Sequence, residues 1–100
     1  MSGAVRETWV GSYRYLSDAP GREGADRGRE SFRIDWHADG SRAIGAHSEI
    51  DDAPAVVRDV SLRLDPAGRP ADCFVRIAVG GRFRGASWFA FTRNEAICEG

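Results

Sequence analysis

Arg58 and Arg84 are the side chains that ask most of their surroundings. Each falls in phase with an apolar strand face, and a guanidinium aimed into an apolar interior is costly unless an anion meets it. With Glu30, Ser48 and Ile77 they form one expected cross-strand row, and Arg82 lies one row further out beside Val79. Two readings of that row stay open. The arginines could hold the acidic group of a small amphipathic ligand at the mouth of an apolar pocket. Alternatively they reach to water at a rim and pair loosely with Glu30.

The rest of the chemical inventory is thin. Arg33, Asp35 and His37 alternate along one strand, which suits an ion-pair ladder before it suits an acid/base cluster. His37 sits beside a turn and His47 faces outward, so both read as solvated surface groups. The serines lack a nucleophile-elbow context, and Ala67-Gly68 and Gly80-Gly81 are turns rather than phosphate cradles. Cys73 and Cys98 have no close cysteine or histidine neighbour and match no metal pattern. No cofactor motif occurs, and none is expected to be bound.

The chain has 100 residues, of which 42% are hydrophobic and 29% charged, a balance that suits one small domain spanning 1–100 or a piece of a longer protein. Every one of its fourteen basic residues is arginine, set against fifteen acidic ones, so the net charge of -1 offers no field to hold a nucleic-acid backbone. The arginine usage reads as the mark of a GC-rich bacterial genome. No apolar run approaches the roughly 20 residues of a membrane span, and the opening MSGAVRETWVG lacks a signal-like apolar stretch. The expectation is a soluble, cytoplasmic protein with no membrane span and no nucleic-acid partner.

What must position these residues is a set of strands. Apolar residues recur with period two, broken about every ten residues by Gly, Pro, Asn and Asp clusters, and no segment has helical periodicity. Strands are predicted at Glu7 to Leu16, Glu30 to His37, Arg42 to Ile50, Val56 to Leu64, Asp72 to Val79, Arg82 to Phe91 and Glu95 to Cys98. The fold class is all-β, an antiparallel meander of about seven strands forming a curved roll or partly open barrel. The stretch Ser17 to Arg29 reads as a mobile loop or lid.

Turn chemistry sets the register. A three-residue Ala38-Asp39-Gly40 loop puts Ile34 opposite Ile44 and Phe32 opposite Ala46, where a two-residue turn would bring His47 beside Phe32. Asp51 to Ala55 sets Ala46 against Val60. Pro66 to Arg69 sets Leu62 against Cys73 and Val60 against Val75. Gly80-Gly81 sets Val75 against Ala86 and Cys73 against Trp88, and a three-residue Thr92-Arg93-Asn94 loop sets Trp88 against Cys98. The result is one apolar inner face from Phe32, Ile34 and Trp36 across to Ala86, Trp88, Ala90 and Cys98. Cys73 and Cys98 then lie about two strand spacings apart, roughly 9 to 10 Å, and remain reduced thiols.

The outer face is expected to be solvated on strands two to four, where it carries Arg33, Asp35, His47, Glu49, Asp59, Ser61 and Arg63. On strands five and six it carries Phe74, Phe83, Phe89 and Phe91, a patch that something should cover. The first strand with Trp9, Tyr13 and Tyr15, a second copy of the chain, or further sequence are the candidates.

An antiparallel meander that opens on Trp9-Val10-Gly11-Ser12-Tyr13 resembles the calycin group of small-ligand barrels, the lipocalins and fatty-acid-binding proteins among them. That group usually carries Gly-x-Trp on its first strand, and here Trp9 precedes Gly11. The resemblance implies lipid-like ligands whose carboxylates meet interior arginines, a part that Arg58 and Arg84 could play here.

Three functions follow as expectations. The first is a non-enzymatic barrel that binds a small apolar or amphipathic, acidic molecule, lined by Phe32, Trp36 and Trp88 with Arg58 and Arg84 at the headgroup. The second is an interaction module that homodimerises or docks through Phe74, Phe83, Phe89 and Phe91. The third is a cofactor-free isomerase, cyclase or lyase using Asp35, His37 or His47 as base.

Overall fold

In the computed structural model, which describes residues 4–99, the chain runs through seven strands: β1 (Val5–Leu16), β2 (Asp26–His37), β3 (Arg42–Ile50), β4 (Val56–Leu64), β5 (Pro70–Val79), β6 (Arg82–Phe91) and β7 (Ala96–Glu99). They form a single antiparallel sheet in the order β1-β2-β3-β4-β5-β6-β7. The meander is all-β as expected, and the sheet stays open, with β1 and β7 as free edges.

The central hairpins take the register that their turns dictate. Ile34 faces Ile44 and Phe32 faces Ala46. At the turn between them the His37 amide bonds the Ser41 carbonyl at 2.9 Å, and Gly40 takes the left-handed φ of 89°. Ala46 faces Val60, Leu62 faces Cys73 and Val60 faces Val75.

β1 and β5 each begin two residues earlier than the sequence reading, at Val5 and Pro70, and three differences matter more. β2 begins at Asp26 rather than Glu30, so Ser17 to Arg29 is not one irregular loop. The Asp26 carboxylate accepts from the Gly28 amide at 3.0 Å and pairs with Arg14 at 3.2 Å, which extends the β1–β2 hairpin through a polar stretch. Gly28 has φ 152°, and a Cβ there would stand 2.2 Å from the Glu49 carbonyl oxygen. Only glycine fits that approach. The shorter turn, 17–25, closes on itself through bonds such as Ser17 N–H to the Ala25 carbonyl at 2.8 Å.

The second difference is a bulge at Arg84. Val79 faces Arg82 and Ala78 faces Phe83, as a Gly80-Gly81 turn requires, but the register then slips so that Ile77 faces Gly85. Beyond the slip Val75 faces Ser87 and Cys73 faces Phe89, not Ala86 and Trp88. The slip brings Phe89 and Phe91 onto the inner face in exchange for Ala86, Trp88 and Ala90, trading two alanines and a tryptophan for two phenylalanines and a serine. Third, Thr92 and Glu95 bond across a tight Arg93–Asn94 turn at 2.8 Å, so β7 starts at Ala96 and Cys98 faces Phe89 rather than Trp88. The two shifts cancel for the thiols. Cys73 and Cys98 still share a row two strands apart, and both are free.

One layer of strands cannot bury its own apolar face. Among the described residues no hydrophobic side chain is fully buried, and the one side chain that is, Ser48 at 1% exposure, is polar. The accessible surface is 7119 Å², about 1500 Å² more than the roughly 5600 Å² of a compact chain of this mass. The radius of gyration, 16.2 Å, likewise exceeds the ~13 Å of a compact domain of this length.

Candidate functional site

The inner face of the sheet is built in cross-strand rows. One row runs Trp9, Ile34, Ile44, Leu62, Cys73, Phe89 and Cys98. The next runs Gly11, Phe32, Ala46, Val60, Val75 and Ser87. The third is polar at its centre: Tyr13, Glu30, Ser48, Arg58, Ile77 and Gly85.

Aromatic rings concentrate on the β1–β2 side. Trp9 and Trp36 lie 5.6 Å apart between ring centroids, and Tyr13 lies 6.5 Å from Phe32. Gly11 makes room for this cluster, since a Cβ there would stand 2.4 Å from Phe32 Cζ. The Arg42 guanidinium sits 4.3 Å above the Trp36 ring, a cation–π contact at the end of the face. Trp9 and Tyr13 nevertheless remain 50% and 48% exposed, so the cluster presents a surface rather than a core.

The polar row holds the charges. Glu30 is nearly buried and accepts a hydrogen bond from the Ser48 hydroxyl at 2.6 Å. Arg58 stands one strand beyond Ser48, and its buried Nε has no acceptor; the Trp36 indole Nε1 is in the same state. Among the described residues no ion pair includes Arg58 or Glu30, so the loose pairing expected of them is absent from the structure.

Of the residues singled out in the sequence, Phe32, Trp36 and Arg58 share this inner face. Trp88 does not: the bulge turns it outward, opposite Phe74. Arg84 is the unpaired bulge residue and leaves the Glu30 row, which ends at Gly85. It lines a 560 Å³ hollow with Val75, Ile77 and Phe83. The four phenylalanines part company as well. Phe74 and Phe83 stay outside, joined by Trp88 and Ile97, while Phe89 and Phe91 turn inward. β1 lies at the opposite edge of the sheet from β5 and β6, so its aromatics do not cover that outer patch.

The outer face carries an ion network that the sequence reading treated as separate surface groups. His47 Nδ1 bonds Asp59 at 2.5 Å and Nε2 faces Glu49 at 3.2 Å. Arg29 pairs with Glu49 at 2.7 Å and with Asp51. The Asp59 bond, then the Glu49 bond, raise the His47 pKa, and His47 with Arg29 holds the Glu49 carboxyl below its usual range. Asp35 is lowered by the Thr8 hydroxyl and by Arg33. Ser31 shares a row with His47 and Asp59, an order reminiscent of hydrolytic triads, but His47 Nε2 is turned to Glu49 instead of to that serine. These groups lie on an exposed surface and suit a charged ladder across β2, β3 and β4.

A hollow of about 820 Å³ opens at the far end of the sheet between the Asp65–Ala71 turn and the Phe91–Glu95 turn. Asp65, Arg69, Arg93 and Glu95 give it both signs of charge, and it is remote from Glu30 and Arg58. Among the described residues no group of three or more His, Cys, Asp or Glu side chains is placed to hold a metal ion. No helix among them is long and apolar enough to cross a membrane.

Compared with models of known protein families, with curated proteins and with solved structures, the chain matches none.

Proposed function

We propose that the chain is a self-associating β-sheet module, in which two copies lay their inner faces together as the two layers of a sandwich. The observation that carries this reading is the absence of any fully buried apolar side chain among the described residues, together with the surplus of exposed surface. Removing about 1500 Å² from each of two copies would hide roughly 3000 Å², well within the range of obligate dimers and above the ~800 Å² per partner of an ordinary stable complex. At ~25 cal/mol per Å² the apolar part of that area is the driving force that a lone sheet lacks. A cytoplasmic setting belongs to the same proposal, supported by the free thiols of Cys73 and Cys98.

Tryptophan fluorescence tests it. Trp9 and Trp36 lie on the inner face and Trp88 on the outer. In the dimer, acrylamide should quench Trp88 freely and the other two weakly, and dilution should expose them together. Equal quenching of all three at every concentration contradicts the reading.

A second reading rests on a different observation, the buried Arg58 Nε that has no acceptor, on the same face of the sheet as the aromatic rings of β1 and β2. The same face could bind a small amphipathic acid, with the carboxylate on Arg58 and the tail on Phe32 and Trp36, as the resemblance to fatty-acid-binding barrels suggests. Titration with a medium-chain fatty acid checks it: saturable binding that Arg58→Leu weakens supports the site, and affinity unchanged by that substitution removes it.

A further inference from the structure

The inner face carries opposite charges at positions that a two-fold axis can exchange. Glu30 on β2 and Arg58 on β4 stand on either side of Ser48 in one row. Among the described residues neither has an ion-pair partner, although Glu30 is nearly buried. A charge withdrawn from water in this way is costly until an opposite charge meets it.

Two sheets can place the same face against each other only about an axis lying between them. With that axis parallel to the strands and in front of β3, a half-turn carries β2 over β4 and lays each row on its own reverse. Ser48 then meets Ser48 of the partner subunit, and Glu30 meets Arg58 of the partner subunit, twice over. The apolar rows match as well, Phe32 falling on the partner's Val60 and Ile34 on the partner's Leu62. Placing the axis over β2 or β4 instead sets Glu30 or Arg58 against its own copy, which is repulsive. Five of the seven strands overlap about β3, and packed sheets lie about 10 Å apart, a gap of the order that a glutamate and an arginine span between them. Residues one strand from the axis are also displaced less by the twist between two sheets than those on the strands further out.

We propose that the dimer forms about β3 and is registered by reciprocal pairs between Glu30 and the partner's Arg58. This rests on the reading of the inner face as a self-association surface and adds which residues select the partner and its orientation, the use of buried charges best supported elsewhere.

The test uses the full chain with Glu30→Arg, with Arg58→Glu, and with both variants mixed in equal amounts, read by native mass spectrometry. Each single variant sets like charges against each other and should dimerise at least about tenfold more weakly than the wild type. The mixture reunites arginine with glutamate at both contacts and should yield chiefly the heterodimer, whose mass differs from both homodimers. A wild-type dimer with single variants that dimerise equally well, or a mixture with no excess of heterodimer, overturns the pairing while leaving self-association standing. A monomeric wild type overturns both. Should a single variant fail to fold, Glu30→Gln decides, because it keeps the shape and the Ser48 bond: a dimer weakened about tenfold supports the pairing, and wild-type affinity overturns it.

Discussion

Glu30 and Arg58 share a row on the inner face with Ser48 between them, and no ion pair joins the two. Glu30 is held by the Ser48 hydroxyl at 2.6 Å, while the Arg58 Nε finds no acceptor. In a monomer this is an expensive arrangement, because burial removes water and returns one hydroxyl to Glu30 and nothing to the Arg58 Nε. Around it lies an apolar face with no second layer, and one partner can remedy both defects.

Substitution on the proposed axis checks the apolar half of that account. Ile44 lies on β3 and would face its own copy, so Ile44→Asp sets two carboxylates together in a dry contact. Dimer affinity should fall by about a hundredfold or more, in line with the ~3 kcal/mol or more that such a buried like-charge contact costs. Light scattering on a gel-filtration column measures it. An unchanged mass would place the contact elsewhere.

The outer patch supplies the control. Phe74, at 41% exposure, lies on the other face, so Phe74→Ser should leave the dimer intact and change stability only slightly. Dissociation of that variant would transfer the interface to the outer patch of Phe74, Phe83 and Trp88.

Two glycines should respond in opposite ways. Gly28→Ala drives a Cβ into the Glu49 carbonyl at 2.2 Å, at a backbone angle alanine avoids, and should cost about 2 kcal/mol or more. Gly45 lies within β3 with nothing within 4 Å of a new Cβ, so Gly45→Ala should be neutral or stabilise by about 0.5–1 kcal/mol. Urea unfolding of the two variants side by side measures the difference, and equal effects would contradict the β2–β3 pairing at Gly28.

Much of this was legible in the residues and some was not. The turns at Asp39-Gly40 and Pro66 to Arg69 set two of the central strand pairings, because left-handed glycines and proline leave few choices of loop. The bulge at Arg84 left no such mark. β6 is apolar in both phases, with Trp88 and Ala90 in one and Phe89 and Phe91 in the other, so alternation could not say which turned inward. Phe89 and Phe91 are the pair that turn inward, and Arg84 is left unpaired. Asp26 to Arg29 read as loop because every side chain but glycine there is charged, yet on an exposed hairpin end charges are no obstacle to strand pairing. Closure was beyond the pattern as well. Period two tells which face is apolar and leaves open whether β1 ever meets β7.

The His47 network gives a pH dependence whose sign follows from its cause. Asp59 and Glu49 favour the protonated ring, so the folded pKa lies above the unfolded value of about 6.5. The stabilisation is therefore fully present below that value and is lost as pH rises through the folded pKa. His47 is 44% exposed, and solvent screening should hold the effect to less than about 1 kcal/mol. Urea midpoints for the wild type and His47→Gln should converge at alkaline pH and separate in mild acid, where the carboxylates remain ionised. Parallel profiles would remove His47 from the account.

Sedimentation equilibrium of the unmodified chain tests the central claim most directly, since it needs no variant, label or ligand. The expected result is a species of twice 10.9 kDa across the micromolar range, dissociating only on strong dilution. A folded species of 10.9 kDa at every concentration would contradict the account, because the inner face would then be standing in water without a partner.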